Sequence, residues 1–419
     1  MTPSLLSTFG RTLRDPVLRR WRLDRLLGRW TAAEAPAPAD SAVALQARTH
    51  YCLAVDRGDD QAAAANLAVL FAEADRLIGP SGVLREDSTA YHLRLTHGYA
   101  EAWLAARRHC RGETSRLEAI LRRLLAALSA LALPGGLPEI GEVPADPPPA
   151  LLAGLLPGGP VNGGWLGSLT AAERDSLVAL RDTERLHDLE LLRADGWLRS
   201  DFGPWSGLWH AAPAGWPSFS GHGHQDLGSS VLHYEGMAIF VDPGSPPPTC
   251  PARLAAAYRS ASAHNGLTLD GADPYPQDRP VYSDAFRQAV GGPPPSLRAE
   301  FDGVSLQYSG FDRLGGPRGC SRRWRFDGGK LAIEDVILGT GRQRVERRLI
   351  TPWPVVMDDS ATPVIRGPRD FRVSGEAPAG LRPFRRWTVK GDEQPLTMIL
   401  FSSRSNLPWH GLLRVEPLS

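Results

Sequence analysis

The sequence has few cysteines, no excess of either charge and no long apolar run. Its four cysteines, Cys52, Cys110, Cys250 and Cys320, are scattered without a Cys-x-x-Cys pair, so free thiols are expected. The 47 basic and 46 acidic residues nearly cancel, and no nucleic-acid partner is therefore predicted. No apolar stretch is long enough to span a membrane, and residues 1–30 lack the apolar core of a signal peptide.

Helical periodicity dominates the first half of the chain, and short alternating strands dominate the second. Apolar residues recur at helical spacing in 16–30 and near 41–56, 60–78, 89–109, 113–133 and 171–193. The segment 16–30 is expected to pack as the first helix of a bundle, although a membrane-surface helix has the same pattern. Ser88 is the expected N-cap of the helix that begins near Thr89.

Beyond Gly196 the apolar period shortens to that of strands. One example is Val231 to Val241, with a turn predicted at Glu235-Gly236. Helices followed by a run of strands predict an α+β multidomain chain with segregated layers. We place the boundary near residue 195, with residues 1–195 helical and residues 196–419 forming the β domain.

Three short motifs in the β half carry residues suited to metal chemistry. They are Gly221 to Asp226 with its His-x-His, Val241 to Gly244, and Ala263 to Asn265. Residues i and i+2 of a strand share a face, so His222 and His224 are expected to serve one site. Imidazole and carboxylate groups are ligands that suit zinc. A lone His-x-His or Asp-Pro-Gly is often only a strand end or a turn, and the third histidine favours a site.

The order of these motifs resembles the heparinase II/III-like domain of polysaccharide lyases. The matching residues are Gly221 to Asp226, Val241 to Gly244, Arg259-Ser260, His264-Asn265 and Asp270-Gly271, with further likeness at Gly82 to His92 and Pro134 to Gly141. The resemblance implies an N-terminal (α/α) toroid-like helical domain, here shortened, followed by an antiparallel β-sandwich. It places the substrate cleft between the two domains.

The resemblance also divides the histidines between two roles. It implies a structural zinc held by His224, Asp242 and His264, and a catalytic role for the neighbouring His222. From the residues alone, three protein ligands leave a fourth position for water, so a catalytic zinc stays open. Asp226 is a candidate to orient an imidazole N–H near the metal, or simply a turn residue.

The implied reaction is β-elimination at a uronic acid, in which a base removes the proton next to the carboxylate and an acid protonates the leaving oxygen. The family pattern Glu-x-Ser-x-x-Tyr-His makes Tyr91 the candidate acid, with His222 as the complementary base. Glu86, Arg259 and Asn265 are candidate substrate-binding residues. Arg259 is expected either to neutralise the carboxylate or to anchor its own loop.

One element of the family pattern is missing from this chain. The resembled lyases carry an Asn or Asn-His in the toroid, some distance before the tyrosine, and the corresponding residues 31–41 contain neither. His50 is the nearest candidate to take over the role, and Asn66 lies closer to Tyr91. Neither residue lies in a matching motif.

These features predict a lyase acting on an acidic polysaccharide or oligosaccharide. Two alternatives are a weakened or inactive carbohydrate-binding protein of exopolysaccharide metabolism, and a zinc-dependent hydrolase. The resemblance implies a periplasmic location, whereas the missing signal-peptide pattern favours the cytoplasm. A homodimer is left open as the assembly.

Overall fold

The computed structural model describes residues 41–144, 146–186, 188–212, 222–247, 249–275, 292–387 and 393–418. The helix predicted at 16–30, the segment 31–40 and Gly221 lie outside these residues. All four cysteines lie within them and are free thiols, as expected. None of the helices in these ranges is both long and apolar enough to cross a bilayer.

Helices occupy the first part of the described chain, close to the positions that the apolar spacing predicts. They are α1 (Ala42–Arg57), α2 (Asp60–Leu77), α3 (Thr89–Arg108), α4 (Thr114–Leu131), α5 (Pro149–Leu152), α6 (Ala171–Thr183), α7 (Leu189–Ala194) and, later in the chain, α8 (Ala252–Arg259). The single helix predicted over 171–193 is wrong. The chain leaves helical conformation at Glu184 and re-enters at Leu189, where Asp188 caps a new helix with its side chain.

Helix α3 lies at the centre of the helical core. Fifteen of its 20 residues are buried, because Ala, Gly and Leu on most of its surface allow α1, α4 and α5 to pack closely against it. Ser88 caps its first turn, where Oγ accepts a hydrogen bond from the N–H of Tyr91 at 3.1 Å. The expected N-cap is therefore confirmed.

Sixteen strands form antiparallel sheets in the remainder of the described chain. They are β1 (Trp197–Phe202), β2 (Trp205–His210), β3 (Ser230–Tyr234), β4 (Met237–Phe240), β5 (Leu267–Leu269), β6 (Ser296–Glu300), β7 (Gly303–Tyr308), β8 (Pro317–Asp327), β9 (Lys330–Gly339), β10 (Arg342–Thr351), β11 (Val355–Met357), β12 (Pro363–Ile365), β13 (Phe371–Ser374), β14 (Ala379–Trp387), β15 (Glu393–Asn406) and β16 (Trp409–Pro417). The turn predicted at Glu235-Gly236 joins β3 to β4, and both residues have positive φ, 49° and 82°, as a two-residue hairpin turn requires.

The strands are arranged in three sheets around one apolar core. The orders are β1-β2-β3-β4, β14-β15-β10-β5 and β11-β12-β13-β16-β9-β8-β7-β6. Residues of all three sheets, including Trp209, Leu269 and Trp324, are buried in the same cluster. The α+β class with an antiparallel β-sandwich following the helices is confirmed.

A separate apolar cluster joins the helices to the first sheet. It contains Val83 and Leu131 from the helical part, and Trp197, Leu208 and Val231 from β1, β2 and β3. The last helix before the sandwich ends at Ala194 and β1 begins at Trp197; the division into domains near residue 195 stays a prediction. This junction fixes the loop before α3 against the loop before β3, and the candidate site lies between those two loops.

Candidate active site and metal centre

Three side chains from separate segments of the β domain form a buried cluster. The ligand atoms of His224, Asp242 and His264 all lie within 4.8 Å of one another. Asp242 lies in the Asp-Pro-Gly turn after β4, and its Oδ1 accepts a hydrogen bond from the N–H of Gly244 at 2.9 Å. Its other oxygen, Oδ2, lies 2.6 Å from Nδ1 of His264. The structure thus brings together the three residues predicted as ligands.

The chemistry of this cluster fits a metal ion. Neither ring nitrogen of His224 has a hydrogen-bond partner among the described residues, although the side chain is buried. Burial, together with the neighbouring His264, lowers the pKa of His224 to about 4, so the ring is neutral near pH 7. Buried nitrogens without partners are costly. Two imidazoles and a carboxylate form a common ligand set for a divalent transition metal.

His222 and His224 do not share the face of a strand, contrary to the expectation from their spacing. Residues 222–226 form an irregular loop before β3, which is held in part by the N–H of Gln225 donating to the carbonyl of Arg259 at 2.8 Å. The loop directs His224 to the cluster with Asp242 and His264, and it directs His222 to the helical side of the junction. The two histidines therefore belong to neighbouring but different groups of residues.

The ring of His222 stacks on the ring of Tyr91. The ring centroids are 3.5 Å apart and the ring planes differ by 18°. Both side chains are partly exposed, and the Ser88 cap fixes Tyr91 in the first turn of α3. A ligand therefore has access to the edges of the two rings rather than to the space between them.

Two carboxylates flank the imidazole of His222. Oε2 of Glu142 lies 3.1 Å from Nδ1, and Oε2 of the fully buried Glu86 lies 3.9 Å from Nε2. Burial opposes ionisation of Glu142, but hydrogen bonds from His222 and Arg259 outweigh it and hold the pKa of this carboxyl below its usual range. Glu142 is therefore a carboxylate near neutral pH.

A cation lies beside Tyr91 on the partly exposed stripe of α3. This stripe consists of Tyr91, Arg94 and Glu101, which share one face because they are three and ten residues apart. The guanidinium carbon Cζ of Arg94 lies 5.8 Å from the centroid of the Tyr91 ring, within cation–π range. Arg94 forms no salt bridge with any residue that the structure describes, and its guanidinium is therefore a candidate partner for an anionic ligand.

A buried histidine connects the loop before α3 to the loop before β3. Nδ1 of His210 lies 2.9 Å from Asp226, Nε2 lies 3.2 Å from Asp87, and Trp197 packs on the ring with centroids 4.2 Å apart. Burial alone would lower the pKa of His210, but the two carboxylates outweigh it and raise the pKa to about 10. Asp226 thus orients an imidazole, as expected, but that imidazole is His210 and not one of the two histidines predicted as ligands.

Arg259 and Asn265 are engaged within the protein. Nε of Arg259 donates to Oε1 of Glu142 at 3.0 Å, which anchors its loop. Asn265 is buried, and Nδ2 donates to the carbonyls of Ser230 and Val241 at 2.9 and 3.0 Å. Both N–H groups of the Asn265 side-chain amide are therefore used. The structure gives this residue a structural role in place of the predicted substrate contact.

The two other candidates differ in their distance from His222. Glu86 is fully buried, and its Oε2 lies 3.9 Å from Nε2 of His222, so it borders the imidazole without being exposed to solvent. His50 is exposed on α1 and makes no hydrogen bond, ion pair or ring contact with a described residue. It is two residues from Arg48, which pairs with Glu101 of α3, so His50 points away from α3. The structure does not bring His50 to Tyr91.

Sequence reasoning missed three residues of this region. Arg94 could have been found, because it lies three residues after Tyr91 on a predicted helix and therefore on the same face. No local sequence pattern indicates Glu142 or His210. Glu142 is 80 residues from its partner His222, and His210 is 123 residues from its partner Asp87.

Comparison with known proteins gives one family and a set of similar folds. The sequence profile of the family described as "Heparinase II/III-like, C-terminal" matches residues 184–394, half of the chain. The match covers most of the β domain and the metal cluster, whereas Tyr91 precedes it. No curated protein matches the chain in sequence.

Among solved structures, three proteins have similar folds. A crystal structure of heparinase III has a TM-score of 0.62 at 14% identity, covering 90% of this chain and 60% of that protein. Heparan sulfate lyase HepC from Pedobacter heparinus has a TM-score of 0.58 at 14% identity, covering 89% and 59%, and a second heparinase III has 0.59 at 13%, covering 90% and 59%. This chain thus spans about 60% of the length of these proteins, and a likeness at such low identity shows the fold.

Proposed function

The chain belongs to the heparinase II/III-like family, and from this premise we propose that it is a lyase cleaving uronic-acid-containing polysaccharides or oligosaccharides by β-elimination. The observation that carries the proposal is the stacked pair of Tyr91 and His222, with the cation of Arg94 beside it. An acid, a base and a positive charge are the three groups that this reaction needs.

The proposed reaction proceeds through an enolate-like intermediate. The base removes the proton on the carbon next to the uronate carboxylate, and the electron pair moves towards that carboxylate. Collapse of the intermediate forms a carbon–carbon double bond and breaks the bond to the glycosidic oxygen, which takes a proton from the acid. The products are an unsaturated uronate end and a new hydroxyl end, so no water is consumed.

We assign the proton transfers to the exposed edges of the stacked rings. The phenol of Tyr91 protonates the leaving oxygen, and His222 removes the proton next to the carboxylate. Arg94 pairs with the carboxylate and stabilises the charge that develops on it. In this assignment Arg94, on α3 itself, takes the place of the toroid Asn or His that the sequence lacks.

The role of Arg94 predicts a specific effect on substrate use. An Arg94→Gln variant removes the charge with little change in length, and a charge-assisted hydrogen bond contributes about 1.5–3 kcal/mol. We expect kcat/KM for an acidic oligosaccharide to fall by roughly 10- to 100-fold. The measurement is the initial rate of formation of the unsaturated product over a range of substrate concentrations.

Arg107 at the other end of α3 supplies the matched control. Its Cζ lies 4.8 Å from the ring centroid of Trp103, so an Arg107→Gln variant removes a similar cation–π contact outside the site. This variant should retain the wild-type kcat/KM. Equal losses in the two variants would show that Arg94 acts through the stability of the helix and not through the substrate.

We further propose that His224, Asp242 and His264 hold a structural zinc ion. The bound ion would join the turn after β4 to the loops before β3 and β5, next to His222. A metal present at about 1,000 times its dissociation constant adds about 4 kcal/mol to the free energy of unfolding. We expect His224→Ala to lose the metal in elemental analysis and to unfold at lower temperature, and a chelator to destabilise the wild type in the same way.

His410 provides the control for the metal experiment. It is an exposed histidine on β16 that pairs with Glu334 at 2.6 Å, and a His410→Ala variant should keep both the metal and the wild-type melting temperature. A well-folded wild-type preparation that contains no zinc, and does not take it up when zinc is supplied, would contradict the proposed site.

One assay separates the lyase from its alternatives. Acidic polysaccharides are incubated with the protein while the absorbance of the unsaturated uronate and the number of new reducing ends are recorded. A lyase increases both quantities, a zinc-dependent hydrolase increases the reducing ends alone, and a binding protein changes neither while still retaining the polysaccharide. Reducing ends without unsaturation, or no reaction across a broad panel of uronans, would contradict the proposal.

A further inference from the structure

The loop of residues 138–143 connects the two halves of the proposed site. Its start is hydrogen-bonded to the first turn of α3: the N–H of Thr89 donates to the carbonyl of Ile140 at 3.2 Å, and the N–H of Ile140 donates to Oγ1 of Thr89 at 3.0 Å. Ser88 Oγ then donates to the carbonyl of Glu142 at 2.6 Å. The loop is therefore held in a fixed position relative to the helix that carries Tyr91.

The same loop is bonded to the backbone of His222. The N–H of Glu142 donates to the carbonyl of His222 at 2.7 Å. The preceding Gly141 has φ +76°, and a Cβ there would lie 2.6 Å from the carbonyl oxygen of Asp87 and 2.7 Å from that of His222. Glycine is needed at this position because the loop passes between the backbone segments of Asp87 and His222, where there is no room for a side chain.

The side chain of Glu142 completes the connection. One carboxylate oxygen lies 3.1 Å from Nδ1 of His222, and the other accepts from Nε of Arg259 at 3.0 Å. The side chain of His222 is 13% exposed and that of Glu142 is 21% exposed, so both are largely shielded from water. A carboxylate is an acceptor only, and it therefore requires Nδ1 of the imidazole to carry the proton.

We infer that Glu142 is a positioning residue that fixes His222 in the Nδ1–H tautomer and leaves Nε2, which lies 3.9 Å from Oε2 of Glu86, as the nitrogen that accepts the proton. A carboxylate on the far nitrogen of an imidazole orients the ring and stabilises the imidazolium that forms when the ring accepts a proton. Arg259 offsets the negative charge of Glu142, which would otherwise repel an acidic substrate. The inference rests on the proposed lyase function for the effect of Glu142 on kcat, whereas the tautomer of His222 can be measured without it.

The test combines a spectroscopic readout with a kinetic one. Nitrogen NMR of ¹⁵N-histidine-labelled holoprotein, with the His222 signals assigned by comparison with His222→Gln, should show protonated Nδ1 and unprotonated Nε2 in the neutral ring. In Glu142→Gln, whose amide can donate to Nδ1, the tautomer should shift towards Nε2–H. We expect kcat to fall by roughly 100-fold, the lower part of the range for acid–base catalysis, with KM changing less than threefold.

Two further variants separate positioning from folding. Glu142→Asp retains the charge and should restore the Nδ1–H tautomer and at least a tenth of the wild-type kcat. Glu334→Gln disrupts a similar histidine–carboxylate pair on β9 and should leave kcat unchanged. An Nε2–H tautomer in the wild type, or wild-type spectra and kcat in Glu142→Gln, would overturn the inference. A wild type without lyase activity would instead reject the proposed function, while the tautomer would still decide the role of Glu142.

Discussion

Replacing Tyr91 with phenylalanine is expected to lower kcat for the unsaturated product by about 10²- to 10⁴-fold, the contribution typical of a general acid or base. Phenylalanine keeps the ring that stacks on His222 at 3.5 Å and loses only the phenol oxygen. The leaving glycosidic oxygen then has no protein group in the first turn of α3 from which to take a proton. The measurement is the initial rate of absorbance increase at saturating substrate.

Tyr99 on the same helix provides the control for this experiment. It is buried in the helical core, and its hydroxyl donates to the carbonyl of Leu70 at 2.7 Å. Tyr99→Phe therefore removes a phenol hydroxyl from the same helix outside the site. We expect it to lower the free energy of unfolding and to leave kcat unchanged. A Tyr91→Phe variant with the wild-type rate would show that Tyr91 is not the general acid of the reaction.

Replacing His210 with leucine is expected to destabilise the protein by about 3–5 kcal/mol, as when one partner of a buried ion pair is removed. The side chains of His210, Asp87 and Asp226 are at most 3% exposed. Without the imidazolium, two carboxylates would be buried close together with no cation between them. The quantity to measure is the free energy of unfolding in urea near pH 7.

The same histidine predicts how stability depends on pH. The pKa of His210 is about 10 in the folded protein and about 6.5 in the unfolded chain, so the folded state holds a proton that the unfolded state releases between these values. This contribution is complete below pH 6.5 and is lost as the pH rises through 10. In that window the wild type should lose about 1.4 kcal/mol per pH unit more than His210→Leu.

His233 on the neighbouring strand is the control for both measurements. It is buried in β3, and burial lowers its pKa to about 4, so it is neutral and holds no carboxylate. Between pH 6.5 and 10 a His233→Leu variant should keep the pH dependence of the wild type, because His233 is neutral in both the folded and the unfolded state there. It should also lose far less stability than His210→Leu. Parallel stability–pH curves for the wild type and His210→Leu would contradict a charged His210.

The local features of this chain were accessible from its sequence. The helix boundaries follow from apolar spacing, and the Ser88 cap follows from a small polar residue before an apolar run. The gap in the predicted helix over 171–193 was missed because Leu and Arg residues continue the helical pattern through Glu184 to Asp188, while the new cap at Asp188 depends on its side-chain geometry.

The sequence could indicate His224, Asp242 and His264 as a group of candidate ligands. It could not show from residue spacing that His222 lies outside this group. Two histidines separated by one residue point to the same side of the backbone only in a regular strand, and residues 222–226 form a loop. The direction of the His222 ring is then set by contacts to distant residues, Glu142 and Tyr91.

The sequence by itself determined that a helical part precedes a strand-rich part and where the first helices lie, because these depend on periodicity and capping. The resemblance to a known family, and not spacing alone, assigned the three metal ligands and Tyr91. Only the tertiary structure decided that Arg94 lies beside Tyr91 without an ion pair among the described residues, that Glu142 holds both His222 and Arg259, and that His210 lies between two carboxylates. The physical reason is that hydrogen bonds and charges act over a few ångströms in space. The fold brings these partners together across separations of up to 123 residues, and the charge and orientation of each group depend on burial that no local pattern records.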